Sequence, residues 1–419
     1  SRRQRQMCIR DRYKEVEGGI CAPKGFAAAG VHCGIRANHS EKYDLALIKA
    51  EVRCAAAGVY TTNKVCGAPI KVDRAHLADG YAQAIVVNSG NANTCAANGV
   101  ALAEECCALV GKALNIDAKD VLPASTGVIG QPMVIDPFAR GIPAAAEKLA
   151  ATAQGSTDAA TAIMTTDTHK KEYAIQFELG GKVCTVGAIG KGSGMIAPNM
   201  ATMLAFYTTD AAVSPALLEK ALKTVVPGTY NQMSVDLDTS TNDTLIIMAS
   251  GLAGNPEICE ENADYDAFVA ALTAIAEHMC AEHAGDGEGA THLITCEVTH
   301  APDLKTARAV SRSVVCSNLF KAAVFGRDAN WGRILCAIGY TPGDFSIDKV
   351  CVRLSSKAGE VYVCENAAYH PYSEEEAAKV LAEHDILVKV DMGTGDASAK
   401  AWGCDLTYDY VKINGDYRT

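Results

Sequence analysis

Short segments that are apolar at nearly every position alternate along this chain with segments of helical periodicity. Strands without a polar face are usually buried on both sides. Six segments predict such strands: Ala84–Asn88, Val183–Ile189, Thr244–Ala249, His292–Val298, Val350–Leu354 and Ile386–Val390. Apolar spacing and helix-start signals predict four helices: Gly99–Leu114, one capped by Ser214 that runs toward Val226, Asp266–Ala284, and one opened by the capping box of Ser373 and Glu376. The alternation predicts the α/β class, with stacked sheets and helices.

Chain length and charge narrow the classes of protein that this sequence fits. A chain of 419 residues is too long for one simple core, so we expect two or three packed units. The net charge of −11 argues against a general nucleic-acid role, because phosphate binding needs a basic face. No apolar run approaches the roughly 18 residues that would cross a bilayer, and we expect a protein that does not enter membranes.

The cysteines and residues 1–12 indicate in which cellular compartment the protein is expected. The 17 cysteines include no Cys-x-x-Cys pair, the spacing typical of zinc sites, and we expect reduced thiols in the cytoplasm. Residues 1–12 carry five arginines and no apolar stretch, so they do not predict a signal peptide. We expect them to be a disordered or extraneous tail.

Two loops resemble ligand motifs but fail in detail. The Gly190-Lys191 pair lacks the glycine five residues earlier and the Ser/Thr after the lysine that a phosphate loop needs. Lys191 is therefore either a single cation suited to a carboxylate or a solvated surface lysine. The segment 236–243 lacks the glycine and glutamate of a calcium loop, which predicts a polar turn whose side chains bond the backbone.

The segment KGSGMIAPNMATMLAF, residues 191–206, places Thr202 after the small residue Ala201 and before an apolar run. It is either a turn that feeds a strand or a site of backbone cleavage. If the Ala201–Thr202 bond breaks, Thr202 carries both a hydroxyl nucleophile and its own α-amine, whose pKa of about 7.7–8 suits a general base. One residue then supplies both groups that acyl transfer needs, and the run 203–206 would anchor the new terminus in the core.

The same segment resembles the signature of the ornithine acetyltransferase family, also called glutamate N-acetyltransferase, of arginine biosynthesis. The resemblance runs from about Gly19 to the end of the chain. It includes, in order, the blocks NSGNANTC, LPASTGVIG, IMTTDTHKK, SVDLDTSTNDT, GDGEGATHLITCEV and GRDANWGRI. It implies a layered α-β-β-α sandwich of the self-cleaving kind, with an N-terminal fragment 13–201 and a C-terminal fragment 202–419.

The resemblance also implies the roles of particular residues. Thr202 would be the self-cleavage point and the acyl-carrying nucleophile, and Thr126 and Gly127 its oxyanion hole. The positions implied to hold substrate are Thr165, Lys191, Thr202, Glu288, Asn414 and Thr419. The implied substrates are N-acetylornithine and glutamate, with no metal or organic cofactor and acetyl-CoA as a second candidate donor. The two fragments would associate as a dimer of heterodimers.

Two departures from the family pattern leave local loop shape open. Leu237 stands where glycine is usual, and Ile189-Gly190 replaces a commoner Met-Ala pair. Three other functions remain alternatives at this point. The nearest is a self-cleaving amide hydrolase or aminopeptidase that uses water as the acceptor. The others are an amino-acid-binding sensor without enzymatic activity and a structural interaction module.

Overall fold

The computed structural model describes residues 13–36, 41–197 and 203–416. Their contacts divide the chain into two compact units, in agreement with the expectation from chain length. The first unit comprises the described residues of Ser1–Gly192, Asn199–Val226 and Thr239–Met279, and the second those of Ser193–Pro198, Pro227–Asp238 and Cys280–Thr419. Residues 1–12, Ala201 and Thr202 lie outside the described residues, so the tail and the two fragments stay predictions.

A nine-stranded mixed sheet forms the centre of the first unit. Its strands are β1 (Lys14–Glu15), β2 (Phe26–Val31), β3 (Leu45–Tyr60), β4 (Tyr81–Asn91), β5 (Val121–Val128), β6 (Lys171–Leu179), β7 (Lys182–Lys191), β8 (Leu204–Thr209) and β10 (Thr244–Ala249). They follow the order β1-β6-β7-β8-β10-β3-β4-β5, and β2 pairs with β3. The β4–β5 and β8–β10 pairs are parallel, whereas the other pairs are antiparallel.

Helices cover both faces of this sheet, which explains why its strands are apolar at successive positions. In β4, Ile85 and Val87 pack into the same core as Ile163 of the helix Ala153–Ile163. Val86 points to the opposite core. The helices that line that second core are Ala68–His76, Gly99–Leu114 and Asp136–Glu147. Burying each such aliphatic side chain stabilises the fold by about 1.5–3 kcal/mol.

The second unit is built on a seven-stranded sheet. Its strands are β9 (Met233–Ser234), β11 (Leu293–Ala301), β12 (Cys351–Ser356), β13 (Gly359–Glu365), β14 (Ala368–Tyr369), β15 (Asp385–Asp391) and β16 (Ala397–Cys404), in the order β14-β13-β12-β15-β11-β16-β9. Its helices are Leu304–Cys316, Asn318–Phe325, Trp331–Gly339, Glu374–Leu381 and Tyr408–Gly415. Val310, Phe320, Ile338 and Leu381 from four of these helices share one buried core with Val298 and Val388 of the sheet.

The α/β class is confirmed, and the predicted elements are all present. Gly99–Leu114 and Thr244–Ala249 have the predicted bounds, and the helix predicted over Asp266–Ala284 spans Ala263–Gly285. The Ser373 side chain accepts a hydrogen bond from the Glu376 N–H, as the capping box requires. Ser214 stands at the N-cap of Pro215–Val225, but its side chain makes no capping hydrogen bond, so that prediction was wrong in detail.

The thiols agree with the sequence interpretation. Every cysteine among the described residues is free. Burial raises the pKa of the Cys184 thiol to about 12, and Cys184 therefore packs as a small apolar residue. Among helices in the described residues, none is both long enough and apolar enough to span a membrane.

Asp73 is a buried carboxyl group in the first unit. It lies on the helix Ala68–His76 with no solvent exposure, and neither carboxyl oxygen has a hydrogen-bond partner. Burial raises the pKa of Asp73 well above its ordinary value, whereas the nearby Tyr60 hydroxyl lowers it by less. Asp73 is therefore neutral in the folded protein at pH values where the unfolded chain has already ionised it.

Replacing Asp73 with Asn should increase the free energy of unfolding relative to the wild type, and the increase should be larger at higher pH. Because the folded pKa is raised, the wild type loses stability as pH rises above the unfolded value near 3.9, by about 1.4 kcal/mol per pH unit until the folded pKa is reached. The Asp73→Asn variant has no such loss. The difference between its unfolding free energy and that of the wild type, measured in denaturant, should therefore increase from pH 5 to pH 7. Asp79→Asn is the control, because the Arg53 hydrogen bond lowers the pKa of Asp79 instead. A gap that does not change with pH would contradict the assignment.

Candidate active site

The residues implied by the family resemblance fall into three groups. Thr126, Gly127, Thr165 and Lys191 belong to the first unit. Glu288 and Asn414 belong to the second unit. Ala201, Thr202 and Thr419 lie outside the described residues, so their roles stay predictions.

Gly127 lies near the end of β5, where the parallel strand β4 approaches so closely that no side chain fits. Gly127 pairs with Gly90 of β4, and its φ of 129° lies in a region that L side chains rarely adopt. A Cβ atom built on Gly127 would lie 2.3 Å from the carbonyl carbon of Gly90. Glycine is therefore required here by the backbone, whatever its chemical role. The neighbouring Thr126 is partly exposed.

The buried side-chain amide of Asn242 holds the backbone at Ser125, the residue before Thr126. The Asn242 side chain donates to the carbonyl oxygens of Ser125 and Ala92, at 3.0 and 2.7 Å. Its carbonyl oxygen accepts from the Thr94 hydroxyl at 2.7 Å. The Ser125 hydroxyl donates to Asn88 at 2.6 Å. Because these polar groups are satisfied inside the protein, the backbone before Thr126 is fixed in place.

Lys191 is the last residue of β7, and its ammonium group lies beside the candidate oxyanion hole. It is 7% exposed, which excludes the interpretation as a solvated surface lysine. Its Nζ donates to the Thr126 hydroxyl oxygen at 3.5 Å. A hydroxyl that accepts from an ammonium keeps its own proton to donate elsewhere, for example to an oxyanion.

Asp167 organises this group, and the sequence analysis assigned it no role. Its carboxylate accepts the Thr165 N–H at 2.9 Å and the Gly192 N–H at 2.7 Å. The buried Lys171 ammonium pairs with it at 2.7 Å. Burial alone would raise the pKa of Asp167, but Lys191 and then Lys171 outweigh it and hold that pKa well below its ordinary value. Asp167 is thus an ionised carboxylate that fixes the backbone at Thr165 and next to Lys191.

Asp167 stood within the block IMTTDTHKK, from which only Thr165 was chosen. An acidic residue four positions before a lysine was the available signal. That spacing usually indicates an exposed pair on a helix. Here Lys171 begins a strand, and both side chains are fully buried.

Removing the Asp167 charge should destabilise the first unit strongly. Asp167→Asn leaves two ammonium groups without their carboxylate in a buried environment, and we expect a loss of about 3–5 kcal/mol. Adding Lys171→Met should recover part of this loss, because one uncompensated charge is removed. Thermal unfolding followed by circular dichroism measures both effects.

The control for this experiment is Lys170→Met, at the residue next to Lys171 in the chain. Lys170 pairs with Glu172 at the surface, where such pairs contribute less than about 1 kcal/mol. An Asp167→Asn variant that unfolds like the Lys170→Met variant would show that the buried charge pair does not hold this region together.

In the second unit, Glu288 and Asn414 are in direct contact. The Asn414 amide donates to the Glu288 carboxylate at 2.7 Å, and Glu288 is 7% exposed. The Glu288 N–H donates to the Ser193 carbonyl oxygen at 2.9 Å. A Cβ atom on Gly194 would lie 2.3 Å from the Glu288 carboxylate, so glycine is needed beside it. Glu288 stands in a turn, where it is buried and hydrogen-bonded to Asn414.

Asp236 binds the backbone a few residues before the candidate cleavage bond Ala201–Thr202. Its carboxylate accepts the N–H groups of Met195 and Ile196, at 2.6 and 2.8 Å, and that of Asp238 at 3.2 Å. The predicted polar turn is confirmed. Leu237 has a φ of 72° and is 49% exposed, so it occupies a left-handed position that glycine would adopt without strain. This accounts for the glycine usual there in the family.

The apolar run after Thr202 is buried, as predicted. Met203 is 4% exposed and Phe206 is fully buried. Leu204 opens β8, which pairs with β7 on one side and β10 on the other. A chain that started at Thr202 would enter the sheet of the first unit two residues later, at Leu204.

Comparison with known proteins gives a consistent result. The sequence profile of the ArgJ family matches residues 27–419. The arginine biosynthesis bifunctional protein ArgJ of Symbiobacterium thermophilum is 49% identical over 409 residues, which is 96% of this chain and 99% of that protein. The homologue in Caldanaerobacter subterraneus is 48% identical over 405 residues, with 96% and 99% of the two chains covered. A solved structure of ArgJ from Bacillus halodurans is 42% identical, with a TM-score of 0.48 and 51% of this chain and 98% of that chain covered.

Proposed function

Because this chain belongs to the ArgJ family, we propose that it transfers the acetyl group of N-acetylornithine to glutamate, giving ornithine and N-acetylglutamate in arginine biosynthesis. One observation carries the assignment to the site. The Lys191 ammonium, the Thr126 hydroxyl and the Gly127 backbone, where only glycine fits, lie together near the end of β5. This is a set of donors suited to a developing oxyanion.

The proposed enzyme first cuts its own chain. The Thr202 hydroxyl attacks the carbonyl carbon of Ala201, and the peptide becomes an ester between these two residues. Water then hydrolyses the ester and leaves Thr202 with a free α-amine. The burial of β8 directly after this position supports the step, because the new terminus stays anchored in the sheet.

Acetyl transfer follows in two stages. Thr202 attacks the acetyl carbonyl of N-acetylornithine while its α-amine takes the hydroxyl proton, and ornithine leaves an acetyl-threonine ester behind. The amine of glutamate then attacks this ester. Thr126 and Gly127 stabilise the oxyanion in both stages, and Lys191 supports Thr126 through their hydrogen bond.

The remaining residues bind the substrates in this proposal. The Lys191 cation suits a substrate carboxylate, and the Glu288 carboxylate, held by Asn414, suits the side-chain ammonium of ornithine. Thr165 and Thr419 complete the set by family resemblance. The reaction needs no metal or organic cofactor, and acetyl-CoA is the candidate second donor. We place the enzyme in the cytoplasm, with its fragments assembled as a dimer of heterodimers.

Substitution of Thr202 tests whether its hydroxyl takes part in chain cleavage and acetyl transfer. Thr202→Ala should leave the chain intact and abolish acetyl exchange, because both hydroxyl-dependent steps are lost. Thr202→Ser keeps a hydroxyl and should retain part of both activities. Denaturing gels measure cleavage, and ornithine release with N-acetylornithine and glutamate measures exchange. A Thr202→Ala variant that still cleaves and turns over would contradict the proposal.

Removing the Thr126 hydroxyl should lower turnover without abolishing it. Loss of one oxyanion donor typically costs about 3 kcal/mol, or a factor of about 100–1,000 in kcat. The matched control is Thr94→Ser, which keeps the hydroxyl that bonds Asn242 and should change kcat little. If Thr126→Ala turned over like the wild type, Thr126 would not be an oxyanion donor.

Steady-state kinetics distinguish transfer from hydrolysis. Parallel double-reciprocal lines for N-acetylornithine and glutamate are expected of a two-stage transfer through an acetyl-enzyme. Release of ornithine at a rate independent of glutamate would instead assign an amide hydrolase that uses water as its acceptor.

A further inference from the structure

The helix Tyr408–Gly415 of the second unit carries Asn414 with little help from apolar packing. None of its residues, all of which the structure describes, is buried, and Tyr408 and Val411 are 84% and 69% exposed. The Tyr408 ring contacts Phe325 edge to face, with ring centroids 5.7 Å apart. A helix of eight residues is too short to be stable in water by itself. Its position therefore depends largely on polar contacts with the rest of the second unit.

Thr407 supplies two such contacts at the start of the helix. It is 6% exposed, and its hydroxyl oxygen accepts the Tyr410 N–H at 3.4 Å, which caps the helix. The same hydroxyl donates to the Gly289 carbonyl oxygen at 2.7 Å, since it has one proton as well as two acceptor lone pairs. A Cβ atom built on Gly289 would lie 2.7 Å from the Tyr410 nitrogen. The start of the helix is thus in direct contact with the residue that follows Glu288 in the chain.

Asp405 holds the chain on the other side of Gly289. It is 3% exposed, and one carboxylate oxygen accepts the N–H groups of Thr291 and His292, at 2.8 and 3.0 Å. Its other oxygen lies 2.9 Å from the Nδ1 atom of His292. Because Asp405 and Thr407 are two residues apart, one short stretch of chain fixes both ends of the segment from Gly289 to His292.

The far end of the helix returns to the same turn. The Asn414 amide donates to the Glu288 carboxylate at 2.7 Å and to the Tyr410 carbonyl oxygen at 3.0 Å. The Thr407–Gly289 bond at the start of the helix and the Asn414–Glu288 bond near its end close a ring of contacts. A shift of the helix start would therefore change where Asn414 meets the Glu288 carboxylate.

We propose that Thr407 is a positioning residue that sets the side-chain specificity of the acetyl transfer. It holds Glu288 and Asn414 where the carboxylate meets the side-chain ammonium of ornithine. This rests on the proposed function, in which Glu288 binds that ammonium. A charge-assisted hydrogen bond needs the carboxylate at the right distance and angle. The Thr407 hydroxyl therefore affects recognition of the ammonium group and leaves the acetyl chemistry unchanged.

The experiment compares two acetyl donors that differ only in the ammonium group. N-acetylnorvaline has the carbon chain of N-acetylornithine without the side-chain ammonium. The ratio of kcat/KM for the two donors, with glutamate as acceptor, measures how strongly the enzyme recognises that group. We expect Thr407→Val to lower this ratio about tenfold through a higher KM for N-acetylornithine. Its kcat with N-acetylornithine and its kcat/KM with N-acetylnorvaline should stay within about a factor of two of the wild type.

Two further variants separate positioning from stability. Thr407→Ser keeps the hydroxyl and should keep the wild-type ratio. The matched control is Thr341→Val in the same unit, because Thr341 is 5% exposed and its hydroxyl donates to the Ala337 carbonyl oxygen at 2.8 Å. It loses an equivalent hydrogen bond at the end of a different helix and should also keep the wild-type ratio. If Thr341→Val lowers the ratio as much as Thr407→Val, a general loss of stability replaces the positioning role.

Amide hydrogen exchange of the wild type gives a second measurement, which decides the question even if Thr407→Val does not fold. Ornithine bound at Glu288 should slow exchange in residues 286–292 and, through the ring of contacts, in residues 407–410 at the start of the helix. Norvaline at the same concentration should slow neither segment. If ornithine protects residues 286–292 and leaves residues 407–410 unchanged, the helix start is not coupled to Glu288 and the proposal is overturned.

The outcomes separate the two hypotheses. If the wild type exchanges no acetyl group, or uses N-acetylnorvaline as well as N-acetylornithine, the proposed function fails, and the role of Thr407 fails with it. If the wild type prefers N-acetylornithine and folded Thr407→Val keeps the same preference, only the role of Thr407 is wrong and the proposed function stands. If Thr407→Val lowers kcat equally with both donors, its effect is structural and the positioning role is overturned.

Discussion

The candidate site of the first unit depends on a buried ion pair between the Asp167 carboxylate and the Lys171 ammonium. Both side chains are shielded from water, and the Lys191 ammonium also acts on the carboxylate. Both ammonium groups lower the pKa of this carboxylate. Because Asp167 also binds the N–H groups of Thr165 and Gly192, it fixes the backbone on which the site residues stand. The Lys191 ammonium lies near the Thr126 hydroxyl, where an oxyanion or a carboxylate would meet it.

Buried acids in this unit differ in charge because their neighbours differ. Asp167 is ionised, since two ammonium groups outweigh the cost of its burial. Asp73 and Asp243 have no such pairing, and burial raises the pKa of each well above its ordinary value. Each raised pKa costs stability as pH rises above the ordinary carboxyl value, and perturbed pKa values occur most often at functional sites.

Much of the fold could be read from the sequence. The apolar spacing over Gly99–Leu114 gave the bounds of that helix, because its environment agrees with its periodicity. The helix Asp136–Glu147 was missed, since it contains Pro143, which normally argues against a helix. For the candidate site, the family resemblance supplied Thr126 and Lys191. The spacing of Asp167 and Lys171 indicated only a charge pair, because the role of Asp167 depends on backbone groups that only the fold brings to it.

The central claim is that one threonine first breaks the chain and then carries the acetyl group, and intact mass spectrometry tests it most directly. The purified protein is incubated with N-acetylornithine without glutamate, quenched in acid and weighed. The account predicts two fragments, divided between Ala201 and Thr202, with one acetyl group on the second fragment, localised to Thr202 and lost when glutamate is added. A single intact chain, or a cleaved chain that never gains the acetyl group, would contradict it.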